Sequence, residues 1–310
     1  MQGQTTSPDT ALHIDPDTQR EQHPGTSSRL QQHWPEPLTA KEWDARYPGV
    51  LDGVAALGAA ANIIMQLALL PVGHGVAESK VESGAIFKHP IKRARTTFTY
   101  LAVAMLGTTQ EKIHYRKAVN RSHAQVRSDA NSKVKYNAFD PELQLWVAAC
   151  LYWGFTDSMA RFRGPLSRAE QEAFYQLAKP LGTTLQVRDD MWPADLEAFE
   201  AYWENGLNNL KVDDDVRAFL NALTDLKFLH PLIRYTLGPF NRFVTTGFLP
   251  PQVRAQMQFE WSDKDERRFN QLLAALSRVN RLLPRIIRQF PFNTMLWDFR
   301  RRVRKGLPLV

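Results

Sequence analysis

Helix-start signals recur along this 310-residue chain, and they constrain its fold more than any other feature. Thr39 and Ser167 each precede a glutamate by three residues, the capping-box pattern in which a hydroxyl and a carboxylate satisfy the first free amides of a helix. Asp140 and the proline that follows it form an N-cap and a first helical turn. Between these signals apolar residues recur at three- and four-residue steps, and alternating β-branched runs are missing. The pattern therefore predicts an all-α fold of about nine to eleven helices.

The chain divides into a polar N-terminal segment and a helical remainder. Residues 1–35 are rich in Gln, Ser, Thr, Pro and Asp. Such a composition cannot offset the entropy of ordering, so we expect a disordered tail. Residues 36–310 are predicted to form a single multi-helix domain. The apolar run at residues 53–72 is interpreted as a buried core helix rather than a membrane span, because it contains Asn62 and Gln66. No secretory leader is visible, and we expect a cytoplasmic protein.

The net charge indicates which kinds of partner the chain could bind, and the cysteine content decides whether it can form a disulfide. The formal net charge is +7, and part of the excess lies in the run "FRRRVRKG" near the C-terminus. We interpret this basic tail as a solvated helix end, with a weak contact to an anionic membrane surface as a second role. Basic and aromatic residues do not alternate as in a nucleic-acid platform, so nucleic acid is not expected. Cys150 is the single cysteine, which excludes an intramolecular disulfide, and its apolar neighbours predict a buried thiol.

The stretch "RARTTFTYLAVAMLGTTQEKIHYRKAVNRSHAQV" predicts two helices joined by a short Gly-Thr-Thr turn. Arg93 and Thr97 are four residues apart and therefore share a face of the first helix. His123 shares a face of the second helix with Val119, so its imidazole is expected to point into the protein. His114 is nine residues earlier and lies on the opposite side, so the two histidines cannot converge on one metal ion.

Two interpretations of these inward polar residues stay open at this point. In the structural one, His123 is a core histidine bonded to a backbone carbonyl, Arg93 pairs with an acid, and Thr97 bonds back to its own helix. In the functional one, His123 ligates the iron of a porphyrin, which needs only one strong protein ligand and an apolar slot. Lys112 and Arg116 are expected to be exposed, with a contact to porphyrin propionates as the alternative.

Other metal and catalytic sites have weaker signals. "EKIH" at residues 111–114 is a Glu-x-x-His, but helical di-iron proteins need a second copy and two further inward glutamates. One cysteine and no paired histidines argue against a zinc site. A hydrolase elbow and the glycine-rich turns of nucleotide-binding folds are missing.

Four stretches, in order along the chain, resemble the catalytic-domain family of the MpaB oxygenase and rubber oxygenase (latex-clearing protein). They are "MQLALLPVGHGVAES", "HPIKRARTTFTYLAVAMLGTT", "VNRSHAQV" followed by "YNAFDPELQLWVAACLY", and "VTTGFLPPQVRAQMQFEWS". Together they cover roughly residues 40–290, and their shared order makes the likeness specific.

The resemblance implies a globin-like core and, as in the rubber oxygenase branch, a haem b that uses O2 to cleave an isoprenoid carbon–carbon double bond. It implies that His123 is the proximal haem ligand and that Arg93 and Thr97 form the distal pair. The expected partner is a hydrophobic small-molecule or polymeric substrate. We therefore predict a haem-dependent oxygenase acting on an isoprenoid or lipid-like substrate. The alternative is a non-catalytic helical protein that binds a hydrophobic ligand or lies peripherally on a membrane.

Overall fold

A computed structural model of the chain describes residues 34–79, 81 and 85–310. Over these residues the chain is helical and has no β-strand, only an isolated bridge between Arg127 and Asn137. The all-α prediction is confirmed. Residues Trp34–Val310 form one compact unit. The predicted disordered tail lies outside the described residues except at its end, where Trp34 is buried and donates a hydrogen bond of 2.9 Å to the Thr183 hydroxyl.

The described helices outnumber the nine to eleven predicted, partly because the apolar run at residues 53–72 is divided and two helices, Pro180–Thr183 and Arg285–Arg288, have only four residues. In chain order they are α1 (Ala40–Arg46), a 3-10 helix (Gly53–Gly58), α2 (Ala59–Leu67), α3 (Leu70–Ala77), α4 (Pro90–Leu106), α5 (Thr109–His123), α6 (Pro141–Arg163), α7 (Arg168–Ala178), α8 (Pro180–Thr183), α9 (Leu196–Asn208), α10 (Asp214–Thr224), α11 (Pro231–Phe248), α12 (Pro251–Met257), α13 (Asp263–Leu282), α14 (Arg285–Arg288) and α15 (Phe292–Lys305).

The predicted helix starts occur where the capping residues placed them. Thr39 and Ser167 form complete capping boxes at α1 and α7. Asp140 accepts a hydrogen bond of 2.9 Å from the Glu142 amide at the start of α6. Thr108 forms a further capping box with Glu111, which ends the Gly-Thr-Thr turn and begins α5. Local side-chain chemistry therefore sets these boundaries.

The apolar run at residues 53–72 is not one helix, contrary to the prediction. It begins as the 3-10 helix, continues as α2, and breaks at Ala68 and Leu69 before α3 leaves at an angle of 109°. Pro71 lies in the first turn of α3, and a continuous helix is disfavoured because Pro71 has no amide hydrogen to donate to the carbonyl four residues earlier and its ring would clash with that carbonyl. No single described helix is long and apolar enough to span a membrane, although the two bent segments together meet the length and composition.

Helix α6 lies at the centre of the domain and packs one side against an aromatic cluster. The Tyr152 ring contacts the Phe199 ring at 4.7 Å and the Tyr175 ring at 5.2 Å, measured between centroids. The Trp203 ring stacks on the Trp146 ring at 5.2 Å. Cys150 is fully buried, as predicted, and burial raises the pKa of its thiol well above the usual value. These contacts fix α6 against α7 and α9.

Asp52 joins four parts of the chain through a buried ionic cluster. Its carboxylate accepts hydrogen bonds of 2.7 Å from Arg163 on α6, 2.6 Å from Asn280 on α13 and 2.6 Å from Arg288 on α14. Arg288 also pairs with Asp44 at 2.9 Å. Because each buried charge has a partner, the cluster offsets its own desolvation and ties the start of the 3-10 helix to the far end of the chain.

His74 connects α3 to α10. Its Nδ1 lies 2.6 Å from a Glu78 oxygen and its Nε2 lies 2.7 Å from an Asp213 oxygen. Burial disfavours protonation, but the hydrogen bonds that His74 donates to Asp213 and Glu78 outweigh it and raise the pKa of His74 above its ordinary value of 6.5. Both ring nitrogens can then donate, as in an imidazolium. The pKa values of Asp213 and Glu78 are lowered correspondingly.

We expect Asp52→Ala to lower the free energy of unfolding by roughly 3 kcal/mol, because the Arg163 and Arg288 guanidinium groups would lose their buried partner. Chemical denaturation of the two proteins measures the difference. Asp44→Ala is the matched control, since Arg288 then keeps Asp52, and we expect a smaller loss. Equal stability of Asp52→Ala and the unchanged chain would contradict this account of the cluster.

We expect the stabilisation by His74 to depend on pH. A raised folded-state pKa contributes stability below the unfolded value and loses it as pH rises through the folded value. The lowered pKa values of the two carboxylates act in the opposite direction at acid pH. The stability difference between the unchanged chain and His74→Gln should therefore be largest at about pH 6 and shrink on either side. Thermal unfolding across pH measures it, and a difference that grows above pH 8 would contradict the ion-pair assignment.

Candidate functional site

A cavity of about 960 Å³ lies beside α6 and is bordered by side chains of α2, α3, α4, α5, α10 and α11. Its wall is mostly apolar, which is usual for a site that binds a small molecule. Arg93, Thr97 and His123 all line this cavity, so the structure brings together the three residues singled out in the sequence. Their spacing on α4 and α5 accounts for the convergence, because each helix turns one face toward the same space.

The cavity is elongated along α6. Gln144, Val147, Leu151, Gly154 and Ser158 all border it and recur at three- and four-residue steps on one face of that helix. At 1.5 Å per residue, the distance from the first to the last of them is roughly 20 Å. An extended apolar molecule therefore fits the space better than a compact one.

Several polar groups of the wall are already used inside the protein. The Asn62 amide donates a hydrogen bond of 2.6 Å to the Cys150 carbonyl, and the Tyr115 hydroxyl donates one of 2.6 Å to the Thr96 carbonyl. Buried polar groups that find partners in this way cost little free energy. They also leave few donors and acceptors for a ligand.

His123 is the last residue of α5 and is held by the start of α6. Its Nδ1 lies 3.3 Å from Nε2 of Gln144, and the same amide nitrogen donates to the Ala138 carbonyl at 2.7 Å. The Phe139 ring packs nearly perpendicular to the imidazole, with centroids 6.4 Å apart. Burial, together with the charge of Arg93, lowers the pKa of His123 to about 4. The imidazole is therefore neutral at physiological pH and able to act as a ligand.

The partner of His123 is a side chain, not the backbone carbonyl that the structural interpretation expected. Since the Gln144 amide donates toward Nδ1, the neutral ring carries its proton on Nε2. Within residues 34–79, 81 and 85–310, Nε2 has no hydrogen-bond partner. Gln144 was missed by sequence reasoning, because only the return of the chain between α5 and α6 places it beside a histidine 21 residues earlier.

Arg93 faces the cavity as a cation. Its side chain is exposed, but the exposed surface faces the cavity and is surrounded by protein atoms. Desolvation lowers the pKa of its guanidinium, which nevertheless stays protonated. In the part of the chain that the structure describes, Arg93 has neither an ion pair nor a hydrogen bond from its side chain. The acidic partner expected by the structural interpretation is therefore not found among these residues.

For the other residues predicted around the site, the structure agrees with some predictions and contradicts one. The Thr97 hydroxyl donates to the Arg93 carbonyl at 3.1 Å, the bond to its own helix that the structural interpretation expected. His114 is exposed on the opposite side of α5, as predicted. Lys112 is buried, contrary to the prediction, and donates to the Gly107 carbonyl at the end of α4. Burial lowers the pKa of Lys112 to about 8.

The donor set fits a metal that a cofactor holds better than one that protein ligands hold alone. No group of three or more His, Cys, Asp or Glu side chains able to hold a metal ion occurs among the described residues. The cavity does offer the neutral imidazole of His123, the guanidinium of Arg93 and a large apolar volume. A single imidazole ligand in an apolar pocket is what a haem requires of a protein.

No solved structure matches the chain. Uncharacterized proteins of Mycobacterium bovis and Mycobacterium tuberculosis are each 53% identical to it over 251 residues, which are 81% of this chain and 98% of each relative. The catalytic domain described as ER-bound oxygenase mpaB/B'/rubber oxygenase matches residues 48–278, slightly less than the range expected from the four sequence stretches. The chain therefore belongs to the MpaB and rubber oxygenase catalytic-domain family.

Proposed function

We propose that this protein is a haem-dependent oxygenase that acts with O2 on a hydrophobic, isoprenoid or lipid-like substrate. The observation that carries the proposal is the pairing of a neutral His123 with a cationic Arg93 on the wall of one apolar cavity. The family supplies the reaction class, since it is an oxygenase catalytic domain. Family membership alone does not fix a reaction, and these two side chains support the one proposed.

His123 is the residue that would hold a haem b, through Nε2. When bound, the haem supplies an iron centre for dioxygen chemistry. For Nε2 to be a ligand, its lone pair must be free and the ring proton must lie on Nδ1. To accept this proton, the Gln144 side chain would have to release the Ala138 carbonyl and turn its amide oxygen toward Nδ1, because an oxygen in the present position of the nitrogen would lie 2.7 Å from that carbonyl oxygen. Gln144 would then accept the Nδ1 proton and orient the ring, as the partners of metal-bound histidines generally do.

The positive charge of Arg93 would have two roles in the site. Burial lowers the pKa of His123, and the charge of Arg93 lowers it further, so the imidazole stays unprotonated. The same guanidinium would stabilise negative charge that develops on oxygen during the reaction, and it would do so strongly because the surrounding wall is apolar. The proton of the Thr97 hydroxyl is used by the Arg93 carbonyl, so we infer that Thr97 acts as a hydrogen-bond acceptor.

The apolar wall would bind the substrate and exclude water. An elongated hydrocarbon chain could lie along α6 between Val147 and Leu151, with its reacting bond near the His123 end of the cavity. Burying such a chain is favourable in proportion to its apolar area. The alternative is a protein that binds a hydrophobic ligand in the same cavity without catalysis. Such a protein would not use Nε2 of His123 as a ligand, so hemin binding distinguishes the two functions.

We expect the purified protein to bind added hemin with a Soret band, and we expect His123→Ala to weaken that binding at least about tenfold, because the imidazole that would hold the iron is lost. Titration followed by visible absorbance measures the affinity. His114→Ala is the matched control, since it removes an exposed histidine from the same helix. If the unchanged protein binds no hemin, the oxygenase proposal is wrong and the binder of a hydrophobic ligand is the better account.

We expect Gln144→Leu to weaken hemin binding roughly tenfold, because the Nδ1 proton would lose its acceptor. Gln144→Glu keeps an acceptor and adds a negative charge, so it should preserve binding and lower the Fe(III)/Fe(II) potential. In the protein without hemin, Gln144→Glu should also raise the pKa of His123 from about 4, as followed by NMR. An unchanged potential and an unchanged pKa would show that Gln144 does not act on the imidazole.

A further inference from the structure

Large apolar side chains are exposed on the first half of α11. Their exposed fractions lie between 42% and 72%, although α11 is a helix of 18 residues whose second half is buried. They are Leu232, Ile233, Tyr235, Leu237 and Phe240. Exposed apolar surface of this extent marks a site of interaction in most folded proteins.

The exposed residues continue into the cavity. Ile233, Leu237, Phe240, Val244 and Phe248 follow one another at steps of three and four, so they form one stripe along α11. The last three line the cavity, and the final two are buried. The stripe therefore begins on the outside of the protein and ends on the cavity wall.

The start of α4 completes the opening of the cavity. Ile91 is 84% exposed and also lines the cavity, as Phe240 does. A side chain that is both on the surface and on the cavity wall marks the place where the cavity meets solvent. The mouth is thus bordered by apolar residues of α4 and α11.

Basic residues surround this mouth. Residues 85–97 contain four lysines and arginines and no acid, and residues 226–243 contain three and no acid. Arg95 and Arg242 pair with acids elsewhere, whereas Lys227 is exposed and Lys92 and Arg234 are partly exposed. An apolar surface with a basic rim is complementary to anionic lipid headgroups and the acyl region beneath them.

The basic tail at the C-terminus is a weaker candidate for the same contact. Arg300 pairs with Glu111 at 2.7 Å, and Arg301 and Arg302 both pair with Asp298, at 3.1 and 2.6 Å. Acids within the protein thus neutralise much of this run. The sequence predicted a weak membrane contact through the tail. The mouth of the cavity is the better candidate for such a contact.

We propose that the mouth of the cavity docks on an anionic lipid bilayer and that the apolar substrate passes from the bilayer into the cavity along the stripe of α11. The docking surface, here the α11 patch, consists of Ile91, Lys92, Lys227, Ile233, Arg234, Leu237 and Phe240. The route of the substrate rests on the proposed function, whereas the docking itself requires neither haem nor catalysis.

Flotation of the full chain with vesicles tests the docking. We expect the protein to float with equimolar phosphatidylcholine and phosphatidylglycerol, and far less with phosphatidylcholine alone. The double variant Ile233→Asp with Leu237→Asp should bind the anionic vesicles roughly tenfold more weakly, because it places charge where apolar side chains would insert. Lys227→Glu should weaken binding at least about fivefold by removing one attractive charge.

The matched control is Leu282→Asp with Ile286→Asp, which changes two apolar residues, at the end of α13 and in α14, that are even more exposed than Ile233 and Leu237. We expect it to float like the unchanged protein. Equal loss in both double variants, or no loss in the α11 variant, would overturn the proposal. A change from dimer to monomer in the α11 variant, with flotation unchanged, would instead assign the patch to a second copy of the chain. A Soret titration of the α11 variant keeps this result separate from any failure of haem binding.

Discussion

The structure depends on how α6 is buried. This helix is enclosed by protein along its length, but one of its faces borders a cavity in place of another helix. Close packing elsewhere compensates for the contacts that the open face lacks. The aromatic cluster around Tyr152 holds one side of α6, and Asp52 fixes its end through Arg163. At Gly154 the Asn62 amide approaches so closely that an added Cβ would lie 2.4 Å from its nitrogen. The cavity is therefore supported on its sides by contacts that do not themselves bind a ligand.

The chemistry of the cavity follows from placing few polar groups in a large apolar space. Placing a charge in such a space costs free energy unless a partner compensates it. Among the described residues no acid compensates the charge of Arg93. Burial and this charge together lower the pKa of His123. The two residues thus act as a pair before any ligand arrives. The apolar stripe of α11 links this interior to the exposed patch for which we propose docking on a bilayer.

Much of the fold and part of the site could be predicted from the sequence, because the relevant interactions are local. Capping boxes at Thr39 and Ser167 involve residues three apart, and the shared face of Arg93 and Thr97 requires only helical geometry. What was missed depends on distant partners or on tertiary packing. His74 meets Asp213 across 139 residues, and Gln144 reaches His123 only after the chain reverses between two helices. The burial of Lys112 was missed because a lysine that caps the end of a neighbouring helix has the same local pattern as an exposed one. The globin-like core stays a prediction, since no solved structure matches the chain.

A crystal structure of the protein grown with hemin would show whether His123 holds a haem in the cavity. The account predicts porphyrin density inside the cavity beside α6, held by Nε2 of His123, with the Gln144 amide oxygen turned toward Nδ1. Porphyrin bound elsewhere, or a cavity that holds lipid while His123 remains unligated, would contradict it.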